Sequence, residues 1–191
     1  MKKEILLLGA GGHCHSVIDV IEQEGEFLIA GIVDNEKKVG EKVLSYPVVG
    51  CDDDLEELRK KYKYACVTVG QIKSSTIRVK LFQLLKELDF ILPVIISPLS
   101  YISKYAHIKE GTIIMHFAVV NANAKVDENC IINTKALVEH DAYIEKNCHI
   151  STGAIVNGGT IVKANNFVGS NSVTKEYIVV ENFIKAGSVQ K

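Results

Sequence analysis

Between residues 102 and 173, every sixth position is Ile or Val, and the series is unbroken. A second column, four residues after each of these, holds almost only small side chains. A third column, three residues after each, is rich in Gly, Asn and Asp, which accept the left-handed backbone conformation at little cost. The aliphatic column consists of Ile102, Ile108, Ile114, Val120, Val126, Ile132, Val138, Ile144, Ile150, Val156, Val162 and Val168.

A period of six fits neither the helical repeat of 3.6 residues nor the alternation of two in a single long strand. It predicts a β-solenoid of hexapeptide repeats, in which three six-residue sides close a coil of eighteen residues. The aliphatic column would then point inward, the small column would pack inside each corner, and the Gly, Asn and Asp column would form the corner itself. Four coils fit, at 102–119, 120–137, 138–155 and 156–173, and the period is lost after Val173.

The first part of the chain has a different pattern, in which short apolar runs alternate with helical periodicity. This alternation predicts a small, Rossmann-like parallel α/β sheet. Pro93 and Pro98 mark the transition, so we predict an α/β domain at 1–98 and a solenoid domain with a short tail at 99–191. The predicted strands are 5–8, 27–33, 64–69 and 90–96. The first predicted helix follows the turn that ends at His13, and two further helices are predicted at 51–62 and 74–88.

Composition narrows the class of protein. The chain is 47% hydrophobic and 24% charged with a formal net charge of -1, which is typical of a soluble globular protein and disfavours nucleic acid and anionic membrane surfaces as partners. The apolar run near the N-terminus is too short for a signal peptide and no segment is long enough to span a bilayer, so we predict a cytoplasmic protein. The five cysteines form no Cys-x-x-Cys pair, and we predict neither a disulfide framework nor a metal site.

The first predicted strand ends in the turn Gly9-Ala10-Gly11-Gly12-His13, directly before a helix. Glycines allow a ligand to approach the backbone, and a helix N-terminus attracts phosphate. The dinucleotide fingerprint is incomplete, because Cys14 stands where its third glycine belongs. A nucleotide-linked sugar therefore fits better than NAD. Asp34, at the end of the second strand, is either an acceptor for a ribose or base or only a turn residue.

His140 is the candidate base of the solenoid. It follows inward Val138 by two residues and should project outward beside a corner, with Asp141 next to it. Imidazole titrates near neutrality, and Asp141 could hold its ring and stabilise the cation, although a corner Asp can also be only a turn residue. Gly158 and Gly159 follow one coil later and would leave a notch for a thin ligand such as pantetheine. His107, His116 and His149 also face outward by this register, without such a notch.

A Gly-x-Gly-Gly-His α/β domain joined to a solenoid with Asn133-Thr134-x-x-x-Val138-Glu139-His140-Asp141 resembles the sugar O/N-acetyltransferases of the NeuD/PglD type, over essentially the whole chain. The resemblance implies a left-handed parallel β-helix, acetyl-CoA as co-substrate, and a homotrimer with active sites between subunits. No metal is expected, because a thioester is already activated. The resemblance also implies that His140 is the catalytic base and Asp141 its helper. The resemblance further implies two sets of binding residues. Acetyl-CoA would be bound by Asn133, His149, Gly158, Ser170 and Gly187. The nucleotide-sugar would be bound by Gly11, Gly12, His13, Asp34 and Gly70.

This sequence departs from the family pattern near its C-terminus. The usual closing Gly-x-Pro-Ala-Lys stands here as Gly187-Ser188-Val189-Gln190-Lys191, without the proline. Contacts to the adenine end of CoA are therefore not assigned.

The predicted function is acetyl transfer from acetyl-CoA to the amino group of a nucleotide-linked amino-deoxysugar. O-acetylation of a sialic acid or related nonulosonic acid is the alternative, because the same base serves both acceptors. A non-catalytic nucleotide-sugar-binding scaffold is disfavoured because His140 is present. An NAD-linked oxidoreductase would rest on the incomplete glycine fingerprint alone.

Several outward positions of the predicted solenoid are apolar, which usually indicates an interface. A closed three-fold assembly would bury them, so they independently predict a homotrimer. One predicted side carries Val119, Leu137, Ile155 and Val173, and another carries Ile113, Ile131, His149 and Phe167.

Overall fold

The structure is a computed structural model that describes residues 2–34 and 39–191. The chain divides into two compact units. The first consists of Met1–Gly70 and Thr76–Pro93, and the second of Gln71–Ser75 and Val94–Lys191. The segment Gln71–Ser75 therefore belongs to the solenoid unit, although the chain returns to the first unit directly after it.

The first unit is built on one five-stranded sheet in the order β3-β4-β2-β1-β5. All neighbours are parallel except β3 and β4, which form an antiparallel edge. Its central strand is buried, with Ile5 to Leu8 fully inaccessible, as expected for a sheet covered on both faces. The strands are β1 (Lys3–Leu8), β2 (Phe27–Val33), β3 (Lys42–Val43), β4 (Tyr46–Gly50) and β5 (Tyr64–Val67).

The helices of this unit are α1 (Gly12–Glu24), α2 (Leu55–Lys61), which follows a 3₁₀ turn at Asp52–Asp54, and α3 (Thr76–Glu87). Helix α1 ends at Gly25 in the left-handed conformation, whose N–H bonds to the Ile21 carbonyl. The predicted strand at 90–96 is wrong, because Ile91 forms only an isolated bridge to Tyr64, and Ile95–Ile96 pairs within the solenoid. No helix within the described ranges is long and apolar enough to cross a membrane.

The second unit is a parallel β-helix whose three sides we number in chain order. The first side is the sheet β6-β9-β12-β15-β18, the second is β7-β10-β13-β16-β19-β21, and the third is β8-β11-β14-β17-β20. Each strand pairs with the strand eighteen residues away, except the last pair, where Val173 meets Val189. The strands are Ile95–Ile96, Tyr101–Ile102, His107–Ile108, Ile113–Ile114, Val119–Val120, Lys125–Val126, Ile131–Ile132, Leu137–Val138, Tyr143–Ile144, His149–Ile150, Ile155–Val156, Ile161–Val162, Phe167–Val168, Val173–Thr174, Val179–Val180 and Val189–Gln190, numbered β6 to β21.

The interior of the β-helix follows the predicted columns. The aliphatic column and the small column together form one buried cluster that runs from Ile114 to Ile184. Burying a Val or Ile side chain contributes roughly 1.5–3 kcal/mol, so this column drives the stacking of the coils.

The third column forms the corners, as predicted. From Gly111 to Tyr177, its residues take the left-handed conformation with φ between 54° and 66°. Gly, Asn and Asp accept this conformation readily, whereas Phe117 and Lys135 adopt it against a cost of roughly 1 kcal/mol each.

The β-helix continues beyond the predicted end of the period at Val173. Thr174 and Val180 occupy the inward column and are buried, and Ile184 bridges to Val168 before β21 forms. The sequence did not reveal this extension because Thr174 is polar and the spacing changes after Val180.

Only one of the two predicted apolar sides is accessible. On the second side, Val119, Leu137, Ile155 and Val173 are half-buried in the single chain. On the first side, Ile113 and Ile131 are fully buried, and His149 and Phe167 are 6% and 9% exposed. The prediction that the first side presents a free apolar surface is therefore wrong, because the chain itself already covers it.

The corner geometry predicts a stabilising substitution. Lys135 is exposed and has φ 60°, so Lys135→Asn should relieve its backbone penalty and raise the free energy of unfolding by about 0.5–1 kcal/mol. The measurement is urea unfolding at fixed protein concentration. The matched control is exposed Lys125 on strand β11, where Lys125→Asn should give no gain. Equal gains at both positions would contradict the conformational explanation.

Candidate active site

His140 lies at the second corner, between the second and third sides of the β-helix. Val138 and Ala142, on either side of it, are fully buried, so the backbone is fixed and His140 must project outward. Asp141 makes the turn with φ 60°. The His140 and Asp141 side chains are 53% and 48% exposed, so a large ligand can reach both.

The His140 ring is held by a chain of hydrogen bonds between adjacent coils. His140 Nδ1 lies 2.8 Å from Asp141 Oδ2, and Asn123 Nδ2 donates to Asp141 Oδ1 at 2.6 Å. The Asp141 carboxylate can only accept from a neutral ring, so Nδ1 carries the proton and Nε2 keeps a lone pair. Asp141 thus has both roles that the sequence left open, as a corner residue and as the partner of the imidazole.

These hydrogen bonds shift both pKa values so that the charged forms, the imidazolium and the carboxylate, are favoured. The hydrogen bond that His140 donates to Asp141, together with the Asp141 charge, raises the pKa of His140 above its ordinary value of 6.5. The hydrogen bond from Asn123, followed by that from His140, lowers the pKa of Asp141. The imidazole is therefore a stronger base than a free one, with a carboxylate that remains ionised at neutral pH beside it.

The residue before His140 fixes the backbone. Glu139 Oε2 accepts a hydrogen bond from the His140 N–H at 3.2 Å and another from Asn121 Nδ2 at 2.9 Å. Asn121 and Asn123 were not among the predicted site residues. They lie eighteen residues before Glu139 and Asp141, and this spacing is the signal from which the sequence could have identified them.

Gly158 lies one coil above His140, and the structure refines the predicted notch. A Cβ atom on Gly158 would stand 2.8 Å from His140 Cε1 and 2.9 Å from Nε2. The imidazole ring itself therefore fills the space that a side chain on Gly158 would occupy. Glycine is required there because any side chain would push the ring away.

His149 and Asn133 lie together, but at a different place in the coil. His149 is buried on the first side, where its Nδ1 bonds to the Gln71 carbonyl and its Nε2 lies 2.9 Å from Asn133 Nδ2. The carbonyl can only accept, so Nδ1 carries the proton and Nε2 accepts from the amide. His149 points away from the coil interior, as its register predicts, but it is buried rather than exposed. Both its ring nitrogens have protein partners.

Gln71 was not predicted from the sequence. It is 3% exposed, and its Nε2 donates to the carbonyls of Asn147 at 2.7 Å and Asn166 at 3.3 Å. Next to it is a cavity of about 70 Å³ lined by Lys73, Ser75 and Phe183 among others. This volume is far below the roughly 300 Å³ of a typical ligand pocket, so the cavity does not accommodate CoA.

Ser170 and Gly187 lie together near the end of the β-helix. They are the remaining residues that the family resemblance assigns to acetyl-CoA binding. Gly187 N–H donates to the Ser170 carbonyl at 2.8 Å, and Ser170 Oγ lies 2.9 Å from Ser151 Oγ. Gly187 is exposed, with open space where a side chain would be.

The residues matched toward the nucleotide-sugar lie in the first unit. Gly11 and Gly12 are exposed, with open space around them, where α1 begins without a side-chain cap. Gly70 packs beside the half-buried His13. Asp34 Oδ2 accepts a hydrogen bond from the Ala10 N–H at 2.5 Å, so Asp34 shapes the glycine-rich turn. Cys14, in place of the third fingerprint glycine, is fully buried, and burial raises its pKa to about 11.

Comparisons with known proteins agree with this architecture. Residues 4–85 match the family described as the PglD N-terminal domain. A comparison with curated proteins gives no match. The acetyltransferase domain of PglB from Neisseria gonorrhoeae FA1090, in complex with acetyl coenzyme A, is a similar solved structure with a TM-score of 0.88 and 27% identity, covering 100% of this chain and 94% of that one.

A second similar structure is PerB from Caulobacter crescentus, in complex with CoA and GDP-perosamine. Its TM-score is 0.70 and its identity 26%, and the match covers 97% of this chain and 92% of that one. The fold expected from the sequence, an α/β domain followed by a left-handed parallel β-helix, is thereby confirmed. The resemblance to the NeuD/PglD type of sugar acetyltransferases is confirmed, because the first part of the chain matches the PglD N-terminal domain family and the whole chain is similar to the PglB domain and to PerB.

Proposed function

We propose that the protein transfers an acetyl group from acetyl-CoA to the amino group of a nucleotide-linked amino-deoxysugar. The observation that carries the proposal is the His140 imidazole, hydrogen-bonded to Asp141 and packed on Gly158 at an exposed corner. The similar structures support the substrates, because one is an acetyltransferase domain with acetyl-CoA and the other holds CoA and GDP-perosamine.

His140 would act through Nε2, which has no partner among the described residues. As the sugar nitrogen attacks the thioester carbonyl, Nε2 takes its proton and Asp141 stabilises the resulting imidazolium. The tetrahedral intermediate then collapses, so that a C–N bond has formed and the C–S bond breaks. The CoA thiolate leaves and recovers the proton. A thioester is already activated, so the scheme requires no metal.

The thioester carbonyl oxygen needs a hydrogen-bond donor. The two candidates are a backbone N–H and His149. The structure favours the backbone. His149 already uses both ring nitrogens, whereas the Gly158 N–H has no acceptor among the described residues. Because a Cβ atom on Gly158 would meet the His140 ring, Gly158 lies next to the base, and base and donor would flank the same carbonyl.

The nucleotide-sugar would bind at the carboxyl end of the first unit's parallel strands. Gly11 and Gly12 would present backbone N–H groups of the α1 N-terminus to phosphate, with His13 and Gly70 beside them. The Asp34 carboxylate would accept from the ribose or the base. We also place the reaction in the cytoplasm, where acetyl-CoA and nucleotide-sugars are made.

We propose a homotrimer in which two chains form each active site. His140 is at the second corner, whereas Asn133 is at the first corner, next to His149. The second side separates these corners by roughly 15 Å at about 3.3 Å per residue. Both groups could contact one thioester region only if they came from different chains. The apolar second side, with Val119, Leu137, Ile155 and Val173, is the surface that such an assembly would bury.

The activity is tested by thiol release from acetyl-CoA with UDP-, GDP- and CMP-linked amino sugars. Matched hydroxyl sugars and sialic acid serve as alternative acceptors. His140→Ala should lower kcat by about 10² to 10⁴, the usual contribution of a general base. Near-normal turnover of this variant would contradict the assignment. Faster reaction with the hydroxyl acceptors would indicate an O-acetyltransferase.

His107→Ala is the control for this substitution. His107 is exposed on strand β8, and its removal should leave turnover unchanged. It is a better control than His116, which lies 2.6 Å from Ser97 Oγ and helps to hold the start of the β-helix.

The pH profile should report the pairing of His140 with Asp141. Asn at position 141 accepts the left-handed corner but carries no charge. Because Asp141 raises the pKa of His140, Asp141→Asn should lower it, and the acid limb of kcat should move to lower pH with a reduced plateau. An acid limb that stays in place, or moves to higher pH, would show that another group limits the rate.

The assembly prediction is tested by multi-angle light scattering at micromolar concentration. We expect the mass of three chains, each of 21.0 kDa. Leu137→Asp should dissociate the assembly and abolish activity, because a charge would be buried on the second side. Lys125→Asp, an exposed change on the third side, is the control and should remain trimeric. A fully active monomer would contradict both the assembly and the shared site.

A further inference from the structure

The second corner holds an Asn at two equivalent positions, two coils apart, and the two side chains make different hydrogen bonds. Asn121 turns back on its own corner. Its Oδ1 accepts from the Ala122 N–H at 3.0 Å, and its Nδ2 donates to Glu139 Oε2 at 2.9 Å. The Ala122 N–H is therefore capped by Asn121. In the next coil, Glu139 caps the His140 N–H in the same way.

Asn157 does not cap the N–H that follows it. Its Nδ2 donates to the Thr174 carbonyl at 2.7 Å, and its backbone N–H donates to Thr174 Oγ1 at 2.9 Å. The Gly158 N–H is left without an acceptor among the described residues. This N–H belongs to the residue whose Cβ position lies against the His140 ring.

The surroundings explain the difference. Thr174 is a polar residue in the inward column, which is Ile or Val at every position from 102 to 168, and it is 1% exposed. Its hydroxyl needs partners, which Asn157 and Thr160 supply. The residue above Asn157 is Lys175, whose side chain has no acceptor for the amide, whereas the Glu139 carboxylate stands above Asn121.

We propose that the hydrogen bonds between Asn157 and Thr174 hold the Asn157 side chain away from the Gly158 N–H, which stays free to bond to the acyl carbonyl oxygen. The inference rests on the proposed acetyl transfer. If Asn157 had the side-chain orientation of Asn121, its Oδ1 would accept from the Gly158 N–H and compete with the thioester carbonyl oxygen. Bonded to Thr174, it leaves the donor open in every catalytic cycle.

Two substitutions at one position test this role. Aspartate has nearly the shape of asparagine but cannot donate to the Thr174 carbonyl, so Asn157→Asp should turn outward and cap the Gly158 N–H. Loss of an oxyanion donor predicts a fall in kcat of about 10²-fold. Asn157→Ala cannot cap, and its kcat should fall by no more than about threefold.

The measurement must separate capping from an effect of the new charge on His140. A negative charge raises the pKa of the base, and that effect disappears at high pH, whereas loss of the donor does not. We therefore compare kcat on the high-pH plateau. Asn182→Asp, which adds the same charge at an exposed position of another corner, is the control and should match the wild type.

A second measurement does not depend on turnover. In protein labelled with ¹⁵N-glycine, acetyl-CoA should shift the Gly158 amide resonance in the wild type and in Asn157→Ala, but not in Asn157→Asp. The Asn157→Asp variant should also show slower hydrogen exchange at this amide.

The outcomes distinguish the two proposals. A wild type that releases no CoA with any acceptor contradicts the proposed function, and the amide measurement alone then decides the role of Asn157. An active wild type in which the Ala variant is as impaired as the Asp variant would assign Asn157 a structural role only. An unchanged Gly158 amide in Asn157→Asp would also overturn the proposal.

Discussion

The parallel pairing of strands eighteen residues apart is the constraint on which the rest of the structure depends. It places equivalent residues of successive coils about 4.8 Å apart. The candidate site is a direct result, because it is built from neighbouring columns of one corner. These columns are Asn121-Glu139-Asn157, Ala122-His140-Gly158 and Asn123-Asp141-Gly159. Each contact of His140 described above is made within its own coil or with the next one.

The same constraint explains why polar side chains can be held accurately on so small an element. A strand of two residues has little stability of its own, and the buried aliphatic column fixes its backbone. The corner then needs a residue that accepts the left-handed conformation, and Asp141 meets this need while its carboxylate holds the imidazole. The interior and the site are thus supported by one periodic pattern.

The sequence predicted the β-helix because its period of six is regular and differs from the periods of other elements. It predicted His140 and Asp141 because a register counted from Val138 gives the direction of each side chain. It did not predict the burial of Ile113, Ile131 and His149. The register shows only that they point away from the coil interior, and it does not show whether other parts of the chain cover them. The partners of His149 were missed for the same reason, since Gln71 lies 78 residues away.

The central claim is that the His140 imidazole and the Gly158 N–H flank the reacting thioester. A crystal structure with acetyl-CoA and a non-reacting nucleotide-sugar analogue tests it most directly. We expect the carbonyl oxygen within hydrogen-bond distance, about 3 Å, of Gly158 N, with the acceptor nitrogen facing His140 Nε2. A thioester carbonyl that bonds to His149 instead of Gly158, or a Gly158 N–H that points to protein or solvent in the complex, would contradict the account.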